Sequence, residues 1–211
     1  MSIHRIPLLI HAPGKRFDEH STALVEAVDL YETLAELANA PTKPGQTEGR
    51  SFAALLDEAK SASDFNASFS QYARCPLDMS DLSNRHSCDG TSRADITVMG
   101  FTVRTSEFRY TRWMPWNGTV LAVTNWDAPA WTTAPPGEGG GWGEELYDHR
   151  HDDGFDFDMP AESANACNDT ALAGTKVVLF QRLRAQFEKG PAWIAERNAR
   201  ICPKPTMCRL G

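Results

Sequence analysis

No stretch of this 211-residue sequence approaches the ~18 consecutive apolar residues that a membrane-spanning helix requires, which argues against a bilayer span. Basic runs are missing as well, and the formal net charge is −7. A nucleic-acid binder draws its affinity from a basic field over phosphates, so this balance argues against that class. Any polyanionic substrate has to be held by local arginines. The five cysteines include no Cys-x-x-Cys pair and no Cys/His spacing of a zinc site. Nor does the N-terminus read as a signal peptide. Ile6-Pro7-Leu8-Leu9-Ile10 is shorter than a secretory h-region, and charged or turn residues follow at once. It reads instead as a buried strand closed by Ala12-Pro13-Gly14. A chain that opens almost directly on a core strand is expected to be cut from something longer.

What is present is a globular composition, 41% hydrophobic and 23% charged, in a chain long enough to bury a real core. Cys75, Cys88, Cys167, Cys202 and Cys208 are odd in number, so at least one is unpaired within the chain. Cys75/Cys88 and Cys202/Cys208 close short loops that disulfides could staple. Asn-x-Ser/Thr sequons occur at Asn66, Asn117 and Asn168, among eight asparagines. Chance supplies roughly one, so the excess leans towards a secretory route.

The periodicity divides the chain. Asp29 with Glu32 makes a capping-box-like helix start, and Leu30, Leu34, Leu37 and Ala38 share one face of the helix that follows. Gly49 to Leu56 turns into another short helix, and the small polar residues 61–66 read as a boundary. Ser68 to Arg74 alternates as a strand. Residues 75–95 and the Trp/Pro/Gly-rich residues 115–143 read as long loops, with Glu144 to His149 as a last short strand and turn. Val177 to Phe187 is a closing amphipathic helix, stopped by Gly190-Pro191.

Between the loops lies VMGFTVRTSEFRYTRW, residues 98–113. With Ser106-Glu107 as a two-residue turn, Met99, Phe101 and Val103 meet Met114, Arg112 and Tyr110 on one face. On the other face Arg104 meets Arg109 and Thr102 meets Thr111. Like charges directly opposite in a sheet are destabilising. The pair therefore requires a carboxylate from another segment or an anionic ligand.

The motif Val103-Arg104-Thr105, Phe108-Arg109-Tyr110-Thr111, Trp113, followed by Glu145-Leu146-Tyr147-Asp148-His149, resembles the C-terminal part of the type I sulfatases, the iduronate-2-sulfatases most of all. Four further segments resemble that family in the same order: residues 6–10 with Pro13-Gly14, residues 24–31, residues 48–52 and residues 70–74. The resemblance implies an α/β, alkaline-phosphatase-like sulfatase fold, represented here mainly by its C-terminal α+β subdomain, an antiparallel sheet with a packed C-terminal helix. Residues 1–64 would be the end of the large α/β domain (strand plus helices), and residues 65–211 the small subdomain with long loops and the closing helix. It implies sulfate-ester hydrolysis on sulfated sugars or glycosaminoglycans, and a secretory, lysosomal or extracellular location.

The family's chemistry uses a Cys-x-Pro-Ser-Arg motif, whose cysteine becomes formylglycine, and carboxylates that bind Ca2+. The motif does not occur in this sequence, and the resemblance implies that the family's nucleophile and calcium-binding carboxylates come before the position where it begins. Cys75-Pro76 and Cys202-Pro203 lack the Ser-Arg that should follow. The chain is therefore expected to carry no catalytic residue and no cofactor of its own, to depend on an N-terminal sulfatase half, and to be inactive alone. Glu32 replaces the proline usual after Asp-Leu-Tyr, and the acidic run 152–158 departs from the usual turn after Leu-Tyr-Asp.

The resemblance also points to substrate-binding residues. The family's corresponding side of the small subdomain borders the active-site cleft, which selects Arg74, at the end of its strand, with Arg85, His86 and Arg93 in the loop beyond. Guanidinium forks suit bidentate binding of sulfate or carboxylate. Arg104 and Arg109 are expected to be structural, each held by a carboxylate, and Arg74 paired with a carboxylate remains the other reading of that residue. Asp148 to Asp153 reads as a polar turn rather than a metal site, because adjacent residues cannot all converge on one ion. The run 152–158 lacks the distal glutamate of a calcium loop. Trp113 and Trp116 read as packing residues more than as a sugar platform. A non-catalytic module that binds an anionic glycan or another protein stands as the second function class.

Overall fold

The structure, a computed structural model, describes residues 6–15, 20–41, 47–57, 64–74, 88, 90–127, 143–151 and 161–188. Alternating side chains make the centre of the molecule a sheet. Strands β1 (Ser68–Arg74), β2 (Val98–Arg104) and β3 (Phe108–Asn117) run antiparallel in sequence order. The two-residue β4 (Ala122–Val123) pairs with the far end of β3, and β5 (Glu144–Asp148) pairs antiparallel with Phe108 to Arg112. The β2–β3 register is the one the sequence indicated: Met99 opposite Met114, Thr102 opposite Thr111 and Arg104 opposite Arg109. Strand β3 does not stop at Trp113 but continues to Asn117, since Trp116 and Asn117 find partners in Val123 and Ala122. The loop expected from residue 115 therefore begins later.

One face of this sheet is apolar and carries helix α2 (Ala173–Phe187). Met99, Phe101, Val103, Phe108, Tyr110, Met114 and Leu146 pack there against Leu179 and Leu183. Phe101 sits at the centre, with ring centroids 4.7 Å from Phe187, 5.5 Å from Trp126 and 6.1 Å from Trp116. Helix α2 starts four residues before the expected Val177, because Asp169 accepts a hydrogen bond from the Ala171 amide at 2.8 Å and a 3-10 turn at Thr170–Leu172 leads into it. Three polar groups pin α2 to the sheet through one carboxylate. Glu144 accepts from the Tyr110 hydroxyl at 2.7 Å, from Arg112 at 3.0 Å and from Lys176 at 3.4 Å. Burial, and then the Glu144 carboxylate, push the Tyr110 phenol far above its ordinary range, so it stays a donor.

The N-terminal residues form a smaller cluster beside β1. Helix α1 (Asp29–Leu37) is present, but without the expected capping box. The buried Asp29 carboxylate reaches outside the helix, accepting from the Glu26 and Arg50 amides at 2.9 Å each. Thr33 accepts from the Phe52 amide at 3.0 Å. The buried side of α1 is thus Asp29, Thr33 and Ala35, while Leu34, expected on the inner face, is 58% exposed. Polar groups that must bind the 47–52 segment fix the helix's rotation. Residues 6–10 also differ from expectation. They form no strand within the described residues, and Ile6 and Leu9 are 73% and 95% exposed. An extended segment needs a neighbour to pair with, and the described part of the chain supplies none there. Phe52 packs edge-on against Phe65, and Glu26 accepts from the Phe69 amide at 2.6 Å, joining this cluster to β1.

Candidate functional site

The opposite face of the sheet is polar. The pairing registers place Arg74, Tyr72, Ser70 and Ser68 of β1 in line with Val98, Gly100, Thr102 and Arg104 of β2, then with Pro115, Trp113, Thr111 and Arg109 of β3. Glu145 and Tyr147 of β5 complete the rows beside Thr111 and Arg109. This face holds a continuous run of contacts from one edge of the sheet to the other. The Arg74 guanidinium lies 4.8 Å from the Trp113 ring centre. The Trp113 indole donates to Glu145 at 3.1 Å, and the Tyr147 hydroxyl donates to the same carboxylate at 3.2 Å. Arg109 in turn stands 4.4 Å over the Tyr147 ring.

Gly100 makes this possible. A Cβ there would sit 2.5 Å from Trp113 Cζ3, so the indole can lie across β2 only where the side chain is missing. Trp113 is consequently 8% exposed, and its face is presented to Arg74. A guanidinium over an indole gains cation–π attraction.

The two facing arginines are resolved by leaving in different directions. Arg109 donates from Nε to Glu162 Oε1 at 2.7 Å and pairs through Nη2 with Glu162 Oε2. Arg104 donates to the Thr105 carbonyl. Between them and the centre of the face, the Thr102 and Thr111 hydroxyls bond at 2.7 Å. Glu162 also contacts Nε2 of the buried His149 at 2.9 Å. Burial alone would raise the Glu162 carboxyl, but hydrogen bonds from His149 and Arg109 and the Arg109 charge outweigh it, and the carboxyl falls to about 2. The carboxylate that the hairpin demanded is Glu162, a residue that the sequence pattern did not single out. The indirect signal was the like-charged pair itself.

Arg93 lies exposed in a 3-10 turn (Arg93–Asp95) that leads into β2, at the end of the sheet where Arg74 pairs with Val98. Arg74 and Arg93 thus share one end, and Arg104, Arg109 and His149 gather at the other. Arg85 and His86 lie outside the described residues, as do the acidic run 152–158 and most of the Trp/Gly-rich loop. In the polar turn after β5, Asp148 pairs with the exposed Arg150 while His149 turns inward to Glu162, so consecutive side chains diverge. Among the described residues no group of three His, Cys, Asp or Glu side chains converges as a metal set. Cys88 is disulfide-bonded, and Cys167 is a buried free thiol held above its ordinary range, by burial first.

No family model matches the chain, and no curated protein sequence matches it significantly. Solved structures do. A phosphonate monoester hydrolase from Silicibacter pomeroyi superposes with a TM-score of 0.55 at 17% identity, over 86% of this chain and 29% of that one. A 2-O GAG sulfatase gives 0.38 at 20% identity, over 82% of this chain and 24% of that one. A phosphonate monoester hydrolase of Agrobacterium radiobacter gives 0.45 at 16%, over 76% and 24%. The fold is the alkaline-phosphatase-like sulfatase fold, here an antiparallel sheet with its C-terminal helix. The chain spans under a third of the length of the hydrolases and sulfatase it matches.

Proposed function

We propose that this chain is the C-terminal part of a sulfatase nearest the iduronate-2-sulfatases, whose complete enzyme hydrolyses sulfate esters of sulfated sugars or glycosaminoglycans. Residues 1–64 belong to the end of the catalytic α/β domain and residues 65–211 form the small subdomain. The observation that supports this best is an agreement between independent lines: six sequence segments resemble that family in order, and the fold superposes on a hydrolase of the same architecture at a TM-score of 0.55. The polar face, with Arg74 stacked on Trp113 and Arg93 at the same end, is the substrate-facing side. Its role is to orient the sulfated sugar through guanidinium contacts.

The nucleophile and the calcium carboxylates belong to an N-terminal sulfatase half, the chain's main partner. The calcium that the family's complete enzyme holds finds no donor set among the described residues of this chain. Sulfate-ester cleavage needs an activated nucleophile and a cation against the developing charge. Chain 1–211 alone is therefore inert. The phosphonate monoester hydrolase likeness favours a second ester class, phosphonate or phosphate monoesters, held by the same arginines. The test is an assay of the purified chain with an aryl sulfate, sulfated disaccharides and an aryl phosphonate, with added calcium. No turnover above blank is expected. Turnover that survives exhaustive purification would overturn the assignment of the chemistry to another segment.

A further inference from the structure

We infer that this protein is N-glycosylated at Asn168 and Asn66 and left bare at its third sequon, Asn117. The inference is independent of the sulfatase reading. It rests on a disulfide and on where the fold puts the three asparagines. Cys88 is disulfide-bonded, and such bonds persist in oxidising compartments, where oligosaccharide transfer also occurs. The modification is a substitution at the glycan's first carbon. The asparagine Nδ2 forms a bond to C1 of a lipid-linked oligosaccharide diphosphate while the C1–O bond to the lipid diphosphate breaks. The lipid diphosphate departs with the bonding electrons, and the amide gives up one proton to a base of the transferase.

A transferred glycan must then be carried by the folded chain without displacing it. Asn168, Asp169 and Thr170 are all exposed, on the turn that leads into α2. That turn's own hydrogen bond uses the Asp169 carboxylate and the Ala171 amide, and leaves the Asn168 amide nitrogen outside the bond. Asn66 is exposed just before β1, where its carbonyl oxygen, rather than its amide nitrogen, accepts from Arg182 at 2.6 Å. Asn117 is different. It is half-buried at the end of β3, paired with Ala122 of β4. Its Oδ1 accepts from the Thr119 and Val120 amides at 2.9 and 3.1 Å. The next residue, Gly118, is buried so tightly that a Cβ would lie 1.8 Å from the Arg93 carbonyl oxygen. A bulky, hydrated glycan on Nδ2 is carried without displacement at the two exposed asparagines, whereas at Asn117 it would have to leave a half-buried asparagine at a strand end.

The experiment maps glycopeptides on the protein from its native cells, with amidase release in heavy-oxygen water to mark each former glycan site. A eukaryotic secretory host expressing the full chain behind an added leader supplies the variants Asn66→Gln, Asn117→Gln and Asn168→Gln. Chain from cells and medium is pooled, so retention in the cell does not hide a glycan. Label at Asn168 and Asn66 is expected, with a mobility step lost in each of those two variants and none in Asn117→Gln. Unlabelled Asn168 and Asn66, or a glycan on Asn117, would overturn the inference.

Discussion

At the residue scale, the question is how a sheet tolerates Arg104 opposite Arg109. Glu162 answers it by gripping Arg109 with both carboxylate oxygens while His149 approaches one of them. Glu162→Gln leaves Arg109 in a nearly buried site without its counter-charge, and the expected loss is about 3 kcal/mol, read as a lowered melting temperature. The pH dependence has a definite sign. The folded Glu162 carboxyl lies at about 2, below its ordinary 4.5, so its stabilisation is complete above 4.5 and is lost as pH falls from there towards 2. Melts of the wild type and Glu162→Gln should therefore converge across that interval, and a constant gap would contradict the assignment. Gly100→Ala tests the other half of the face. Its Cβ would overlap the Trp113 ring, and overpacking of this kind costs about 1–3 kcal/mol. Cys167, buried and raised above its ordinary range, should resist alkylation in the native chain and react on unfolding.

At the element scale, the hairpin was legible because a period of two, a short turn and matched threonines leave one register. Strand β1 and the core of α2 were legible for the same local reasons. The misses share a cause, namely dependence on distant partners. Asp29 carries a capping signature, yet its carboxylate is drawn to the amides of Glu26 and Arg50, which turns α1 and exposes Leu34. Residues 6–10 are apolar enough for a strand, but a strand exists only with a neighbour. Glu162 sits in a segment of no periodicity, so the site's central carboxylate could be anticipated only as a requirement. Trp113 reads from the sequence as a packing residue, and it packs on Gly100, but its service as a platform for Arg74 depends on register across three strands. Helix α2 is held through Leu179, Leu183 and the Glu144 knot. Leu183→Ala, at a fully buried position, should cost about 2–5 kcal/mol in a denaturant melt.

At the scale of the whole molecule, the built core and the exposed apolar residues lie in different places. The sheet and α2 enclose a continuous core, whereas Ile6, Leu9, Tyr31 and Leu34 are each more than half exposed near the N-terminal end, as are Val177 and Val178 on the outer side of α2. Such a distribution suits a piece that rests on a further domain, and the isolated chain is expected to self-associate in size-exclusion chromatography. In the complete enzyme proposed above, Arg74→Lys should raise KM about tenfold with a near-normal melt, because Lys offers a point charge where Arg offers a fork. Arg109→Lys should instead lower the melt. The central claim, that this chain supplies the substrate-facing subdomain of a sulfatase whose chemistry resides elsewhere, is tested most directly by sequencing the transcript through the codons that precede Met1. The account predicts an open frame that encodes Cys-x-Pro-Ser-Arg and the calcium-binding carboxylates. In-frame stop codons immediately upstream, in a transcript translated from Met1, would contradict it.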